Sequence, residues 1–353
     1  MSKILNSRNK KIVLGVILLA VFIGGFYGVY RFHFTPEPAD SEPQPETITI
    51  IDNTGAYVTV PVPVKRIVCL THLGMVYLLG SGDRIVGRQE LTPEDEKLFP
   101  PSILELPVVG TDMDPNLELI LELEPCLVLA SQRLSEENRK KLENAGVAVI
   151  EDTLMWPRRY DNINNLGMIL DAEEKATELI EYETYYVELV EERIANLDRD
   201  EKPLVFFEWY QPWFSTGPGA TYDEMLVAAG GINIAENATV LNPDLSPESV
   251  AEKNPDIIIR MLTHFDGEDL ESFQRLRTEI MNRPALRETN AVKEGHVYII
   301  HTKVLVGNQV IGLLYIAQWF HPHLFADIDP AAVHEEYNQK FFGTDVSGVF
   351  AYP

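Results

Sequence analysis

The sequence predicts an α/β protein with two lobes that are joined by one long helix. Three observations support this fold class. The stretch from Asp171 to about Arg199 contains no Gly or Pro and carries apolar residues at three- and four-residue spacings, which is typical of an amphipathic helix. Short apolar strand-like runs alternate with helical patterns on both sides of this stretch, which favours parallel sheets with helices on both faces. The chain has 353 residues, enough for about two domains.

The long helix is predicted to begin at Asp171, because Asp171 and Glu174 have the spacing of a capping box. At about 1.5 Å per residue, a helix ending near Arg199 would span roughly 40 Å, which matches the width of a small domain. An alternative is an ordinary surface helix within one large α/β domain.

The strand pattern of the N-terminal lobe starts with two alternating segments around Asn53-Thr54-Gly55, which indicates a hairpin. Further strands are predicted in the runs RIVCL, IVGRQ, CLVLA and VAVIED. After the long helix the pattern resumes with the runs PLVFFEW, DIIIRML and HVYIIH, and two helices close the chain. The predicted boundaries are residues 47–157 for the N-terminal lobe, 158–200 for the connecting segment and 201–353 for the C-terminal lobe.

Residues 12–30 carry no charge and are long enough to cross a bilayer as a helix. Basic residues precede this segment, so residues 1–11 are expected in the cytoplasm and the folded part outside. We expect an uncleaved membrane anchor, with a cleaved signal peptide as the alternative. Residues 31–46 are rich in Pro and acids and are predicted to form an extended tether.

Composition excludes several classes of function. The net charge is −25, and an acidic surface of this kind repels nucleic acid and anionic lipid, so neither is an expected partner. Two cysteines, Cys69 and Cys126, are too few for a disulfide framework or a thiolate metal cluster, and we expect both to be buried core residues. No nucleophile elbow, P-loop or dinucleotide-binding glycine motif occurs, which argues against an enzyme.

Two helices at corresponding positions suggest that the lobes are related. Asp114-Pro115 and Ser246-Pro247 each open a predicted helix that ends at a proline and is followed by a strand. Glu118 and Glu248 each lie seven residues before that closing proline. Both glutamates are expected on the surface in the first turns of their helices. Stabilisation by the helix dipole would account for an acid there even without a partner.

Ligands of parallel sheets bind beyond the carboxyl ends of the strands, so the residues that follow the predicted strands are the candidate binding residues. Tryptophans among them offer flat apolar walls, and bases among them favour an anionic group on the ligand. Each base could instead pair with a nearby acid, and each tryptophan could pack between the lobes. The candidates are His72, Arg88, Arg133, Trp156, Arg159, Trp209, Tyr210, Trp213, His264 and Lys303.

Histidines raise a rival hypothesis of bare metal binding, because His72, His264 and His301 all lie at predicted strand ends. None of them has the close spacing of a metal motif, so no metal ligands are predicted. His321 and His323 flank Pro322 and are expected to be exposed.

Several segments resemble the periplasmic binding protein family that delivers iron(III)-siderophores, haem or cobalamin to ABC importers. The resemblance rests on the opening ITIIDNTGAYVTVPVPVKRIVCL, the paired segments PNLELILELEPCLVLA and SPESVAEKNPDIIIRM, the long connecting helix and the tail GLLYIAQWFHPHLF. It implies two Rossmann-like lobes joined by one long helix, the type III architecture of these proteins. It also implies that Glu118 and Glu248 dock onto arginines of the permease.

From these features we expect a membrane-anchored, monomeric solute-binding protein on the extracellular or periplasmic face of the cytoplasmic membrane. Its predicted partner is the permease dimer of an ABC importer with its ATPase. The predicted ligand is an iron(III) chelate of the siderophore type, with a corrinoid (cobalamin) or haem as the alternative and a free metal ion as a weaker one. No cofactor is predicted.

Overall fold

The computed structural model of the chain describes residues 46–345 and 348–353, with the side chains of Glu94 and Phe265 left outside the description. The predicted cytoplasmic end, membrane anchor and tether in residues 1–45 lie outside the described residues. Within the described part, no helix combines the length and the apolar character needed to cross a membrane.

Strands of the N-terminal part form a hairpin and a parallel sheet. β1 (Glu46–Ile51) pairs antiparallel with β2 (Tyr57–Val62), as predicted, and Gly55 adopts φ 83° in the turn, where a residue without Cβ is favoured. The N-terminal sheet consists of β3 (Ile67–Cys69), β4 (Ile85–Arg88), β5 (Leu127–Ala130) and β6 (Ala148–Glu151). Its strand order is β4-β3-β5-β6, and every pair is parallel.

The C-terminal sheet repeats this arrangement. It consists of β7 (Leu204–Glu208), β8 (Ile232–Asn233), β9 (Ile257–Leu262), β10 (Val297–His301) and β11 (Ala351–Tyr352). The order β8-β7-β9-β10 is parallel and places the strands as second, first, third and fourth in sequence, which is also the order in the N-terminal sheet. β11 adds one antiparallel strand at the edge of β10. The shared order supports the hypothesis of two related lobes.

Helices connect the strands and cover the sheets. In the N-terminal part they are α1 (Leu73–Leu78), α2 (Pro93–Glu96), α3 (Pro101–Leu104), α4 (Leu117–Glu122), α5 (Glu136–Asn144) and α6 (Arg159–Leu170). The connecting helix is α7 (Glu173–Ile194). In the C-terminal part they are α8 (Thr221–Ala228), α9 (Pro247–Lys253), α10 (Leu270–Met281), α11 (Asn290–Glu294), α12 (Gln309–Phe320) and α13 (Pro330–Phe342).

The connecting helix is shorter than predicted, with 22 residues and a length of about 33 Å. The predicted capping box at Asp171 is wrong. Asp171 ends α6 in the left-handed conformation (φ 56°, ψ 47°), and α7 begins after Ala172 without a side-chain cap. A left-handed residue that ends one helix cannot also cap the next, since the cap requires an extended backbone.

Two helices pack against the cores of both lobes. α7 contributes Ala176 and Leu179 to the core around the N-terminal sheet and Val190 to the core around the C-terminal sheet. α13 contributes Tyr337 to the first core and Val333 to the second. The two lobes are therefore connected through two helices.

Both sheets are buried on both faces, which explains their nearly continuous apolar sequences. Along β7, Phe207 faces the core beside α8 and α12, whereas Phe206 faces the core beside α10. Cys69 is fully buried in β3, as predicted, whereas Cys126 is only partly buried.

His321 contradicts the prediction that it is exposed. It is 2% exposed, and its Nε2–H donates to the carbonyl of Gly230 at 3.2 Å. Burial lowers the pKa of His321. His323, in contrast, is exposed as predicted.

Candidate functional site

A cavity of about 740 Å³ lies at the carboxyl ends of the strands. The N-terminal sheet contributes the residues after β3, β4, β5 and β6, and the C-terminal sheet contributes the end of β10 with the segment that follows it. α1, α13 and residues near the C-terminus complete the wall. The cavity therefore occupies the place that the strand-end rule predicts, between the two sheets.

Three of the ten predicted binding residues line this cavity, namely His72, Arg133 and Lys303. His72 follows β3 with φ 62°, and its Nε2–H donates to the main-chain carbonyl of Asp152 at 2.9 Å. Burial lowers the pKa of His72 to about 4, so the ring is neutral at pH 7. Arg133 is largely exposed, and its Nε lies 3.5 Å from a carboxylate oxygen of Asp112.

Lys303 joins the two sides of the cavity. It follows β10, and its Nζ lies 3.2 Å from Oδ1 of Asp95 in α2 and 3.4 Å from Oε2 of Glu268. Asp95 belongs to the N-terminal part of the chain and Glu268 to the C-terminal part. The ammonium group of Lys303 is therefore shared between acids of both lobes.

His264 lies in a second, smaller cavity. This cavity has a volume of about 430 Å³ and is lined by Thr92, Pro93, His264, Glu268 and Asp269. Glu268 also lines the large cavity, so the two spaces meet at this residue.

The structure does not bring Arg88 and Arg159 into either cavity, because each is held inside the fold. Arg88 is 6% exposed and donates to the carbonyls of Ile103 and Leu104. Arg159 is 0% exposed and donates through Nε and Nη2 to the two carboxylate oxygens of Glu183, each at 2.6 Å. Both guanidinium groups are thereby used for internal contacts.

The four predicted aromatic residues likewise lie outside the lining of both cavities. Trp209 stacks on Phe214 with ring centroids 5.4 Å apart. Trp213 stacks on Phe206, and the guanidinium of Arg283 lies 5.1 Å from its ring centroid. Tyr210 is half-exposed beside Trp209. Trp156 packs against the core of the C-terminal lobe, and its backbone N–H donates to Gln309.

Several cavity residues were missed by the sequence reasoning. Asp152 directly follows β6 and could have been found by the same strand-end rule. Asp95 lies in the short helix α2 and Glu268 in an irregular segment, and both come close to the cavity only in the fold. Phe350, Val349 and Asp345 come from the C-terminal segment, for which the sequence gives no local signal.

The three imidazoles that line the large cavity each have a protein partner. His301 accepts the backbone N–H of Lys303 at Nδ1 with a distance of 3.0 Å, and His334 Nε2 lies 3.2 Å from Nδ2 of Asn308. Burial lowers the pKa of both rings to about 4. Among the described residues, no group of three or more His, Cys, Asp or Glu side chains is arranged to hold a metal ion.

Glu118 and Glu248 occupy equivalent and exposed positions. Glu118 lies in the first turn of α4, capped by Asn116, and α4 precedes β5, the third strand of its sheet. Glu248 lies in the first turn of α9, capped by Ser246, and α9 precedes β9, again the third strand of the order. The predicted correspondence of the two glutamates agrees with the fold.

Comparison with known proteins identifies a family and individual relatives to which the chain is similar. Residues 67–304 match the periplasmic binding protein family. The chain is 28% identical over 292 residues to the uncharacterized ABC transporter substrate-binding lipoprotein YvrC of Bacillus subtilis (strain 168), covering 79% of this chain and 87% of that protein. It is 24% identical over 217 residues to the high-affinity heme uptake system protein IsdE of Staphylococcus aureus (strain MRSA252), covering 61% of this chain and 71% of that protein.

A solved structure shares the fold. The TroA-like periplasmic binding protein FepB from Veillonella parvula superposes with a TM-score of 0.73 and 24% identity, covering 86% of this chain and 99% of that chain. The family match spans both parallel sheets and the connecting helix, from the start of β3 to just beyond β10. The chain therefore belongs to the periplasmic binding protein family, with a TroA-like fold, and is the non-enzymatic substrate-binding protein of an ABC importer.

Proposed function

We propose that this protein captures an iron(III) chelate of the siderophore type in the large cavity and delivers it to a membrane permease. The observation that carries the proposal is a cavity of about 740 Å³, in a protein whose described residues include no group of three or more side chains arranged to hold a metal ion. Ligand pockets of about 300–1,000 Å³ are typical of small organic ligands. A bare ion would leave most of this space unfilled.

A ligand that brings its own metal coordination fits these histidines. Iron inside a complete chelate needs no imidazole from the protein, so the bonds of His72, His301 and His334 can stay intact. A hydrogen bond at one ring nitrogen leaves the other nitrogen able to bind a metal, but no group of three or more His, Cys, Asp or Glu side chains in the described part of the chain is arranged to hold an ion. We therefore favour a chelate over a free ion.

The cavity is lined by both acids and bases, whereas the sequence predicted mainly bases at the strand ends. Three bases line it, namely Lys97, Arg133 and Lys303. Four acids line it as well, namely Asp95, Asp152, Glu268 and Asp345. This mixture supports a chelate of low net charge rather than a strongly anionic one, since a polyanion would face acids on several sides.

Haem is the second candidate ligand. It is favoured by the similarity to IsdE, which is described as a heme uptake protein. A corrinoid is the third candidate ligand, because it also carries a coordinated metal inside a large organic molecule. The three classes are separated by direct binding measurements.

The binding test uses the purified full-length chain and isothermal titration calorimetry. Ferrioxamine B and ferrichrome serve as siderophore probes, with cyanocobalamin, haemin, Mn²⁺ and Zn²⁺ as competitors. Tight binding of a siderophore supports the proposal. Binding of haemin alone would favour the second candidate, and binding of Mn²⁺ or Zn²⁺ alone would overturn the chelate hypothesis.

A blocking variant tests whether the large cavity is the site. Gly307 lines the cavity, and a Cβ added there would meet no atom within 4 Å. Gly307→Trp therefore adds an indole to the segment that lines the cavity without a clash at Cβ, and we expect it to weaken ligand binding. Gly307→Ala is the matched control and should bind normally. Wild-type affinity in Gly307→Trp would show that the ligand binds elsewhere.

Glu118 and Glu248 are proposed to dock onto the permease. An exposed carboxylate at the same position of each lobe offers two fixed anionic points, which can pair with basic groups of a partner. Glu118→Arg combined with Glu248→Arg should leave ligand affinity unchanged and abolish uptake by cells. Glu122→Arg with Glu252→Arg reverses two other exposed acids of the same helices and should preserve uptake. Uptake that survives the first pair would refute the docking assignment.

The proposed location is the outer face of the cytoplasmic membrane, where a binding protein meets its permease. The predicted anchor at residues 12–30 would hold the protein there. Membrane fractionation of cells that carry the intact chain, compared with a chain without residues 1–30, tests this. Retention of both forms at the membrane would contradict the anchor.

A further inference from the structure

Asp152 is a buried acid in the wall of the large cavity, and one of its carboxylate oxygens accepts no hydrogen bond from the described residues. The residue is 2% exposed and lines the cavity directly after β6. Its Oδ1 accepts the backbone N–H of Asn53 at 3.0 Å. Its Oδ2 has no hydrogen-bond partner within the described part of the chain. Because a buried carboxylate oxygen is normally hydrogen-bonded, an unpaired one beside a cavity indicates a missing partner.

A neighbouring acid, Asp52, is hydrogen-bonded entirely by protein groups. Asp52 is fully buried, and it accepts hydrogen bonds from Thr54, Ala56 and Arg139. Burial raises the pKa of Asp152 to about 6, and the guanidinium of Arg158, which opposes this rise only in part, donates to the carbonyls of Ile51 and Asp52. Two nitrogens of this guanidinium are thereby used, whereas its Nε has no hydrogen-bond partner among the described residues.

Other groups of the same wall are also acceptors. His72 donates its Nε2–H to the main-chain carbonyl of Asp152, so its Nδ1 is an acceptor, and Nδ1 lies 3.5 Å from the hydroxyl of Thr71. Gln89 Oε1 is buried without a hydrogen-bond partner among the described residues, and Gln89 lines the same cavity. On this wall, formed by the ends of β3, β4 and β6, Asp152 Oδ2 and Gln89 Oε1 are thus two acceptors without a hydrogen-bond partner in the described part of the chain.

From this geometry we propose that Asp152 forms an acceptor subsite that binds an N–H or O–H donor on the organic part of the ligand. The inference rests on the proposed function and narrows its ligand class. Chelates that carry ammonium, amide or hydroxyl groups fit the subsite. A ligand whose polar groups are all carboxylates does not, because it would bring a second anion against Asp152.

The substitution Asp152→Asn tests this arrangement with almost no change of shape. The amide oxygen can still accept from Asn53, whereas an NH₂ group replaces Oδ2 and turns the acceptor into a donor. Asp345→Asn is the matched control, because Asp345 lines the same cavity but is exposed and hydrogen-bonded to Gln339. It removes one negative charge from the cavity without touching the subsite.

The experiment titrates the full-length wild type and both variants with three probes. Ferrioxamine B ends in an ammonium group, cyanocobalamin carries primary amides, and haemin carries carboxylates. We expect the wild type to bind at least one of the first two, and Asp152→Asn to weaken that binding by about tenfold or more, as is typical for a lost hydrogen bond to a charged group. Asp345→Asn should stay within about twofold of the wild type in this assay. Circular dichroism checks that both variants are folded.

The outcomes separate this inference from the proposed function. A donor-bearing probe that binds the wild type and Asp152→Asn with equal affinity would contradict the subsite alone, since water would then satisfy Oδ2. Binding of haemin alone, unchanged or tighter in Asp152→Asn, would also contradict the subsite while supporting capture of a metal complex. Failure of all three probes to bind the wild type would contradict the proposed function and the subsite together.

Discussion

Replacing Glu183 with leucine is expected to lower the free energy of unfolding by about 3 to 5 kcal/mol, because it leaves the guanidinium of Arg159 buried without a counter-charge. Both side chains are 0% exposed. Arg159, at the start of α6, makes two 2.6 Å hydrogen bonds to the carboxylate of Glu183 in the middle of α7. The hydroxyl of Tyr337 in α13 donates to the same carboxylate at 3.4 Å. One anion thus joins three helices.

The double variant Arg159→Met with Glu183→Leu isolates the effect of the unpaired charge. Replacing a whole buried ion pair with apolar side chains of similar volume is often neutral or stabilising, so this variant should recover part of the lost stability. One donor of Arg159 also bonds to the carbonyl of Leu154 at 2.6 Å, and this carbonyl would lose its partner. We therefore expect the double variant to remain about 1 to 3 kcal/mol below the wild type.

The assay is equilibrium unfolding in urea, with the midpoint and slope compared across the wild type, the single variant and the double variant. Glu136→Leu is the matched control, since Glu136 forms an exposed i,i+4 pair with Lys140 and should change the midpoint little. A loss below about 1 kcal/mol in Glu183→Leu, or a double variant as unstable as the single one, would refute the reasoning about the buried charge.

Two further predictions concern stability. Burial lowers the pKa of His334 from 6.5 to about 4, so the neutral ring stabilises the fold fully above pH 6.5, and this contribution, up to about 3 kcal/mol, is lost as the pH falls towards 4. His334→Gln should flatten the pH dependence of the unfolding free energy in this range, and an unchanged slope would contradict it. Gly110→Ala should cost more stability than Gly55→Ala, because both residues have positive φ but only the new Cβ at Gly110 would lie 2.3 Å from a backbone oxygen. Equal melting temperatures of the two variants would contradict the steric argument.

The arrangement of elements could be predicted well because it depends on local patterns. The hairpin at Gly55, the alternation of strands and helices, and the start of α9 at Ser246-Pro247 all follow from residue type and spacing within a few positions. The predicted start of α4 at Asp114-Pro115 is wrong, because Asn116 caps that helix and Leu117 begins it. The place of the cavity followed as well, since parallel strands end at a common edge. The start of α7 was missed because Asp171 can either end one helix or cap the start of the next. In the structure it ends α6.

Side-chain directions were less predictable, because they depend on contacts between distant parts of the chain. Arg159 and Glu183 are 24 residues apart and bond only because α6 packs against α7. Trp213 follows a strand, as a ligand contact would, but it stacks on Phe206 instead. For the same reason the bases and tryptophans that were predicted as ligand contacts do not line the cavity as a group.

Helices α7 and α13 each cross between the cores of the two lobes. Two lobes joined at a single point can rotate about any axis through that point. Two lobes that share two helices rotate most easily about one axis. Exchange of cargo in this protein is therefore expected to proceed through a small hinge rotation that keeps both crossings intact.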